Sequence, residues 1–375
     1  MTAKPSQSSD STESKILQTI HVNLADRSYP IHLSSHAVTT NALHVLRSLD
    51  SLSHVVLIAD QAVAALHAEQ VAEAASQLSL RTTKCIVASG ESSKSIEQLT
   101  SLWSSMLDAK TDRSSVVIAV GGGVIGDLAG FAAASYARGL RFVQIPTTLL
   151  AMVDSSVGGK TGVNLPLAKN MVGAFWQPSA VIIDTATLDT LAERQFRSGM
   201  AEVVKYGVIL DPEFFDFLES NVESILNREH SSLEHIIVRS CQLKADVVQR
   251  DERETTGLRA ILNYGHTFAH AIEAATEYGR LLHGEAVSIG MTMAADLAVR
   301  LGMFTQPEAT RQRTLLERLG LPTKFNEVAP DRLWALMQHD KKVEQGVLGF
   351  ILPTRIGSVQ RKSGVSSADV IAAMG

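Results

Sequence analysis

The 375-residue chain is poor in cysteine, with only Cys85 and Cys241. Two thiols build no disulfide framework, and a reducing cytoplasm is the simplest setting for them. No apolar run approaches the roughly 18 residues of a membrane-spanning helix. An excess of positive charge is also missing: 34 Lys and Arg stand against 39 Asp and Glu, a formal charge of −5. A nucleic-acid-binding domain would be distinctly basic, so that class is set aside. The opening MTAKPSQSSDSTES (1–14) has neither the apolar stretch of a signal peptide nor the arginines of a transit peptide, and reads as a disordered tail. Apolar residues, by contrast, are plentiful. They make up 45% of the chain against 19% charged, enough for the packed cores of two domains at this length.

The first half alternates between two periodicities. TIHVNL and YPIHL, joined around Asp26, predict a hairpin between 19 and 33. HVVLIAD (54–60), TTKCIVAS (82–89), SSVVIAV (114–120) and RFVQIP (141–146) are short apolar runs with strand composition. Between them, 61–80, 95–109 and a segment from Leu128 to about Ala137 carry helical periodicity. Strands alternating with helices imply an α/β domain with a mainly parallel sheet. After VIIDTATL (181–188) the text turns helical. Asp211-Pro212-Glu213 is a helix start, and amphipathic stretches follow at 231–250, 265–277 and 284–301. This predicts an α/β domain over 15–190 and a mostly α-helical domain over 191–375, with VLGFILP (347–353) as a lone strand.

Gly121, Gly123 and Gly126 form G-x-G-x-x-G between a strand and a helix. Glycines let the backbone approach a pyrophosphate, and a helix N-terminus attracts the anion. The usual dinucleotide fingerprint lies on the first strand, with an acid about 20 residues on. Here the loop comes later, and 140–147 holds no acid. Asp60, at the end of VVLIAD, is the alternative ribose ligand; a helix N-cap is the plainer role for the same residue. A second polar loop, Ser89-Gly90-Glu91-Ser92-Ser93-Lys94, also follows a strand and should face the same crevice, with Glu91 and Lys94 toward ribose or adenine.

The second half concentrates imidazole and acid. NYGHTFAH places His266 and His270 at i, i+4 on one helical face, His283 follows in LLHGEAV, and Glu202 lies upstream in SGMAEVVKYG. A carboxylate with imidazoles suits Zn²⁺ or a similar divalent ion. Spacing permits several ligand sets, the His266/His270 pair among them.

Taken together, GGGVIGDLAGFAAASYARGLRFVQIPTTLLAMVDSSVGGKTGVN (121–164), KNMVGAFWQP (169–178), SGMAEVVKYG (198–207), LRAILNYGHTFAH (258–270) and HGEAVSIGM (283–291) resemble the 3-dehydroquinate synthase family. The resemblance implies a homodimer with an NAD-binding N-terminal domain, a helical metal-binding C-terminal domain and substrate in the cleft between them. It assigns the metal, Zn²⁺ or Co²⁺, to Glu202, His266 and His283, leaving His270 as a substrate contact. NAD contacts map to Asp60, Ser89, Gly90, Glu91, Lys94, Gly122, Gly123, Val124, Ile125, Gly126, Asp127, Thr147, Thr148, Lys160, Lys169, Thr187, Leu188, Asp189 and Thr190. Asp154, Lys160, Asn170, Lys205, Lys244, Arg259, Asn263, His270 and a lysine of the pair Lys341-Lys342 (Lys342 foremost) map to substrate. Arg138 maps to a residue that reaches the partner's site. The chain departs from the family's pattern in YARG, where a Met often precedes the Arg, and in one extra residue between 250 and 256.

The reaction so implied converts 3-deoxy-D-arabino-heptulosonate 7-phosphate to 3-dehydroquinate and phosphate. It runs through transient oxidation by NAD⁺, β-elimination of phosphate, re-reduction, ring opening and aldol closure. A doubly anionic substrate explains the many cations; Arg259 with Lys244 is expected at its carboxylate, and Lys160, Lys205, Asn170, Asn263, His270 and Arg138 at its phosphate. Residues 131–180 carry four cations against one carboxylate, a basic stretch expected at the cleft. The glycine-rich and apolar settings of Lys160 and Lys205 argue against simple surface charges. Rival readings are a cyclase acting on a substrate without a carboxylate, a polyol dehydrogenase that accumulates NADH, and a catalytically silent homologue.

Overall fold

The computed structural model describes residues 16–166, 168–276, 280–338, 343–344 and 347–375. The expected tail (1–14) and Lys341-Lys342 lie outside the described residues. Strands β1 (Gln18–Val22) and β2 (Tyr29–Ser34) form the expected hairpin. They are followed by β3 (His54–Asp60), β4 (Arg81–Val87), β5 (Ser115–Gly121), β6 (Arg141–Pro146), β7 (Lys160–Leu165), β8 (Ala168–Phe175) and β9 (Ala180–Asp184). The main sheet has the order β1-β2-β9-β6-β5-β3-β4, and every pairing after the hairpin is parallel.

Side-chain alternation explains the layering. Val55, Leu57 and Ala59 pack on one face with Val71 and Ala75, while Val56 and Ile58 pack on the other with Leu99, Leu102 and Leu128. Strands buried on both faces need the near-continuous apolar text seen in HVVLIAD and SVVIAV. A parallel sheet also sends all its strand ends the same way, so Asp60, Val87, Gly121, Pro146 and Asp184 share one edge.

Helices dominate beyond residue 192: Glu193–Leu210, Pro212–Ser220, His230–Arg250, His266–Ala275, His283–Arg300, Gln306–Arg318 and Pro330–Met337. Asp211 caps the second of these, its Oδ1 accepting the Phe214 N–H at 3.0 Å. Apolar packing continues from the sheet into the helices, with Ile20, Tyr29 and Ile31 in one core with Met200, Val204, Cys241 and Val248. Among the described residues, no helix is long and apolar enough to cross a membrane.

Several local expectations are corrected. The helix expected from Leu128 spans Gly123–Ser135, so the glycine motif is its first turn rather than a loop ahead of it. The stretch 61–80 is not one regular helix: a π-type turn at Ala64–Ala68 divides it. β7 and β8 form an antiparallel hairpin in text with no strand signal. The apolar run at 347 is not a lone strand; β11 (Val347–Arg355) lies between β10 (Val343–Glu344) and β12 (Ser358–Ser363).

Candidate active site

The glycine turn sits at the sheet edge because close packing leaves no room there for side chains. A Cβ on Gly122 would come within 3.2 Å of Thr148, and one on Gly123 within 2.9 Å of Ser155 Oγ. Gly121 is strained for any other residue at φ +159 and would press on Ile125 and Asp60. No side chain caps the Gly123–Ser135 helix at Gly122, so its N-terminal amides face the edge. Ile125 is buried in the core, while Val124, Gly126 and Asp127 are partly exposed. Thr147 is tied in by its N–H to the Gly121 carbonyl at 3.0 Å.

Asp60 takes the plainer of the two roles the sequence left open. Its Oδ1 accepts the Ala62 N–H at 2.8 Å as an N-cap, and also the Ser89 hydroxyl, which joins the first loop to the second. Gly90, at φ +113, turns that second loop. Lys94 is buried and bonds both Asp127 and Asn170, so a nucleotide-loop lysine meets a residue expected on substrate. Burial pushes the Asp127 carboxyl up, against the pull of Lys94. Glu91 accepts from Asn164 Nδ2 at 2.7 Å and lies 4.0 Å from Lys169. Asn164 was not singled out in the sequence. At the end of β9, Thr187 and Leu188 are buried while Asp189 and Thr190 are exposed. Arg228 holds this segment through the carbonyls of Leu188 and Leu191, and the Leu188 side chain is buried in the core.

The donors of the second half converge. One ligand atom each from Glu202, His266 and His283 fits within 4.8 Å of the others. Glu202 Oε1 lies 3.6 Å from His266 Nε2 and 3.8 Å from His283 Nε2. Each imidazole has its other nitrogen engaged: His266 Nδ1 donates to the Tyr264 carbonyl at 3.1 Å, and His283 Nδ1 to Glu273 Oε1 at 3.4 Å. Protons held at Nδ1 leave Nε2 as the lone-pair donor. Glu202 is fully buried; the Lys205 ammonium pairs with Oε2, while Oε1 has no hydrogen-bond donor. A buried carboxylate oxygen left without a donor, together with two aimed imidazoles, is the donor set a divalent ion such as Zn²⁺ would complete. His270 lies outside this cluster, its ring centroid 5.7 Å from that of His266. Burial lowers the affinity of His283 for a proton, but Glu273 and Glu202 more than offset it and its pKa is raised.

Cations line the same place. Lys205 and Lys244 are buried, and Lys244 Nζ bonds the Asp154 carboxylate and backbone carbonyl, each at 2.6 Å. Burial works against the Asp154 anion, yet Lys244 and then Lys205 hold its carboxyl far below the usual range. Tyr206, also missed in the sequence, donates to Asp154 Oδ1 at 3.0 Å. Arg259 is buried against the carbonyls of Glu252 at 2.8 Å and Gly158 at 3.4 Å, and lies 3.5 Å from Glu254. Glu254 pairs with Lys160 as well, and so links two expected substrate cations. Asn263 closes the short helix Leu258–Asn263, two residues before the turn at Gly265. The Lys160 side chain is 54% exposed at the start of β7, paired with Glu254. One expectation fails. Arg141 begins β6 at the opposite edge of the sheet, bonded to the Asp50 and Ser114 carbonyls, so the basic stretch does not all face the cleft.

Asp251 organises the approach to Arg259 and gave no sequence signal. Its carboxylate accepts the backbone N–H groups of Thr255, Thr256 and Arg259 at 2.8, 3.0 and 3.1 Å. The Thr256 bond, followed by that of Arg259, outweighs burial and pulls the carboxyl down to about 2. A depressed carboxyl contributes stability above its unfolded pKa of about 4 and loses it as pH falls toward the folded value. Between about pH 4 and pH 2, wild type should therefore lose more stability than Asp251→Asn, as read by urea unfolding. Parallel acid profiles for the two would show that Asp251 is not latched as described.

The sequence comparisons now bear on this geometry. Profiles described as 3-dehydroquinate synthase N-terminal and C-terminal match residues 84–198 and 199–343. The 3-dehydroquinate synthase of Rhodopirellula baltica is 53% identical over 96% of this chain and 97% of its own. The chain belongs to the 3-dehydroquinate synthase family. Solved structures give the same fold. A 2-epi-5-epi-valiolone synthase from Streptomyces hygroscopicus, with NAD⁺ and Zn²⁺ bound, superposes with a TM-score of 0.85 at 31% identity, covering 94% of this chain and 97% of that one. A 2-deoxy-scyllo-inosose synthase complexed with carbaglucose-6-phosphate, NAD⁺ and Co²⁺ gives 0.86 at 29%, covering 95% and 99%.

Proposed function

We propose that this protein is a 3-dehydroquinate synthase, a phosphate-eliminating carbon–oxygen lyase that converts 3-deoxy-D-arabino-heptulosonate 7-phosphate to 3-dehydroquinate and phosphate. The observation that carries the proposal is the Glu202/His266/His283 donor cluster beside buried Lys205 and Lys244, in a chain 53% identical to such an enzyme over nearly its whole length. Residues 15–190 would bind NAD and 191–375 the metal and most of the substrate. When bound, NAD⁺ would accept the hydride and the divalent ion would acidify the substrate hydroxyl.

The chain's own residues divide the remaining work. The uncapped N-terminus of the Gly123–Ser135 helix takes the pyrophosphate, and Asp60, Glu91, Lys94, Asp127 and Lys169 surround the nucleoside. Arg259 and Lys244 take the substrate carboxylate. The remaining polar groups, Lys160, Lys205, Asn170, Asn263 and His270, gather around the phosphate and steady the charge it carries away. Tyr206 and Lys244 keep Asp154 ionised and oriented toward the reacting ring. Arg138 follows Ala137 in a turn where both have positive φ, and it projects outward where a second subunit would meet it. Exposed Leu165, Met171 and Phe175 on the β7–β8 hairpin favour a homodimer. Buried free thiols at Cys85 and Cys241 suit a cytoplasmic setting.

The test is incubation of the purified chain with the heptulosonate phosphate, NAD⁺ and Zn²⁺ or Co²⁺. Phosphate and dehydroquinate should appear in equal amounts with no net NADH. Turnover of sedoheptulose 7-phosphate in its place would reassign the chain to a cyclase for substrates without a carboxylate, and stoichiometric NADH would reassign it to a dehydrogenase.

A further inference from the structure

Glu273 has no place in the chemistry described so far, yet it is buried within that site. It lies on the helix His266–Ala275, two turns beyond His266, with its side chain 10% exposed. One carboxylate oxygen, Oε1, meets His283 Nδ1 at 3.4 Å and Lys169 Nζ at 3.9 Å. His283 opens the next helix, whereas Lys169 comes from β8 of the sheet half, where its ammonium also lies 4.0 Å from Glu91. A single acid on the helical half is thus held between an imidazole of the metal cluster and a lysine that reaches the nucleotide loop.

We propose that Glu273 is a positioning residue: it fixes the proton of His283 on Nδ1, aims Nε2 at the metal, and is itself held in place by Lys169. The proposal rests on Glu202, His266 and His283 being the metal site. An imidazole that begins a helix has a free χ2 rotation, and two tautomers would present the metal with either a lone pair or a proton. A carboxylate on Nδ1 removes both ambiguities and makes Nε2 a better donor, as carboxylate partners of metal-bound histidines generally do. His266 gets the same service from the Tyr264 carbonyl, so each imidazole has its own orienting acceptor. The charged one comes with a tether to the other half of the molecule.

The experiment is a Co²⁺ titration of the metal-free, full-length chain, followed by visible absorption and repeated for Zn²⁺ with a chromogenic competing chelator. Wild type should bind one equivalent. Glu273→Gln, which keeps the shape and loses the charge, should weaken binding by about 10- to 100-fold and shift the Co²⁺ absorption bands. Lys169→Met, a partly exposed position on a strand, should weaken it by a smaller factor in the same direction. Wild-type affinity and spectrum in a folded Glu273→Gln protein would overturn the proposal. If that variant does not fold, unchanged binding by Lys169→Met would overturn it as well. A wild-type chain that takes up no Co²⁺ would instead defeat the metal-site assignment beneath the proposal, so the two failures are distinguishable.

Discussion

Replacing Glu202 with Gln is expected to empty the metal site and disable the enzyme while costing stability as well. Three effects combine. The amide removes the one anionic donor of the cluster, so divalent-metal affinity should fall by at least about 100-fold, beyond the usual cost of losing an orienting partner. Polarisation of the substrate hydroxyl goes with the metal. That is worth several kcal/mol in the transition state, on the order of a thousandfold in phosphate release. The buried Lys205 ammonium also loses its carboxylate, and breaking a buried pair in this way typically costs about 3 kcal/mol. Metal content after dialysis, phosphate release and urea unfolding read the three effects separately. A variant that retained one equivalent of tightly bound metal would refute the assignment of Glu202.

Gly284→Ala should be nearly as damaging without touching a ligand. The helices Glu193–Leu210 and His283–Arg300 meet backbone to backbone at this point, where Gly284 N–H donates to Ser198 Oγ at 3.1 Å. A Cβ on Gly284 would lie 1.8 Å from the Ser198 carbonyl oxygen, a separation no side-chain motion can relieve. Overpacking in a core costs about 1–3 kcal/mol and more where backbone must move, so a loss near or above the top of that range is expected. The displacement falls on the residue next to His283 and four positions from Glu202 in contact across the helix pair. Co²⁺ affinity should therefore drop together with the urea midpoint. A variant with wild-type stability and metal affinity would mean the two helices can part here without disturbing the cluster.

Where the sequence was readable, the cause was local. HVVLIAD and SVVIAV are apolar through their interiors because both faces of a parallel strand are covered, and they became β3 and β5 nearly residue for residue. Asp211-Pro212-Glu213 contains its own cap, and the helix begins there. The β7–β8 hairpin was missed because KTGVNL and AKNMVGAF alternate weakly, and several of their positions are exposed. Its glycines serve close backbone approach: a Cβ on Gly173 would sit 2.0 Å from the Thr161 carbonyl.

The sequence by itself determined the two periodicities, the order of the main-sheet strands along the chain, the glycine turn at a strand end and the presence of acid and imidazole in the second half. Those are properties of neighbouring residues, and neighbours interact without help from the rest of the fold. Spacing alone left the donor set open; the family resemblance named Glu202, His266 and His283, and the tertiary structure brings those three together. His266 and His270 share a helical face, but the geometry gathers Glu202, His266 and His283 from three helices, leaving His270 outside. It also decided that Lys94 meets Asn170, that Asp251 latches the backbone before Arg259, and that Glu273 stands between His283 and Lys169. These contacts join residues whose separation in sequence carries no information about their separation in space. They exist because helix packing and a parallel sheet bring distant segments to one edge, where burial forces every charge to find a partner.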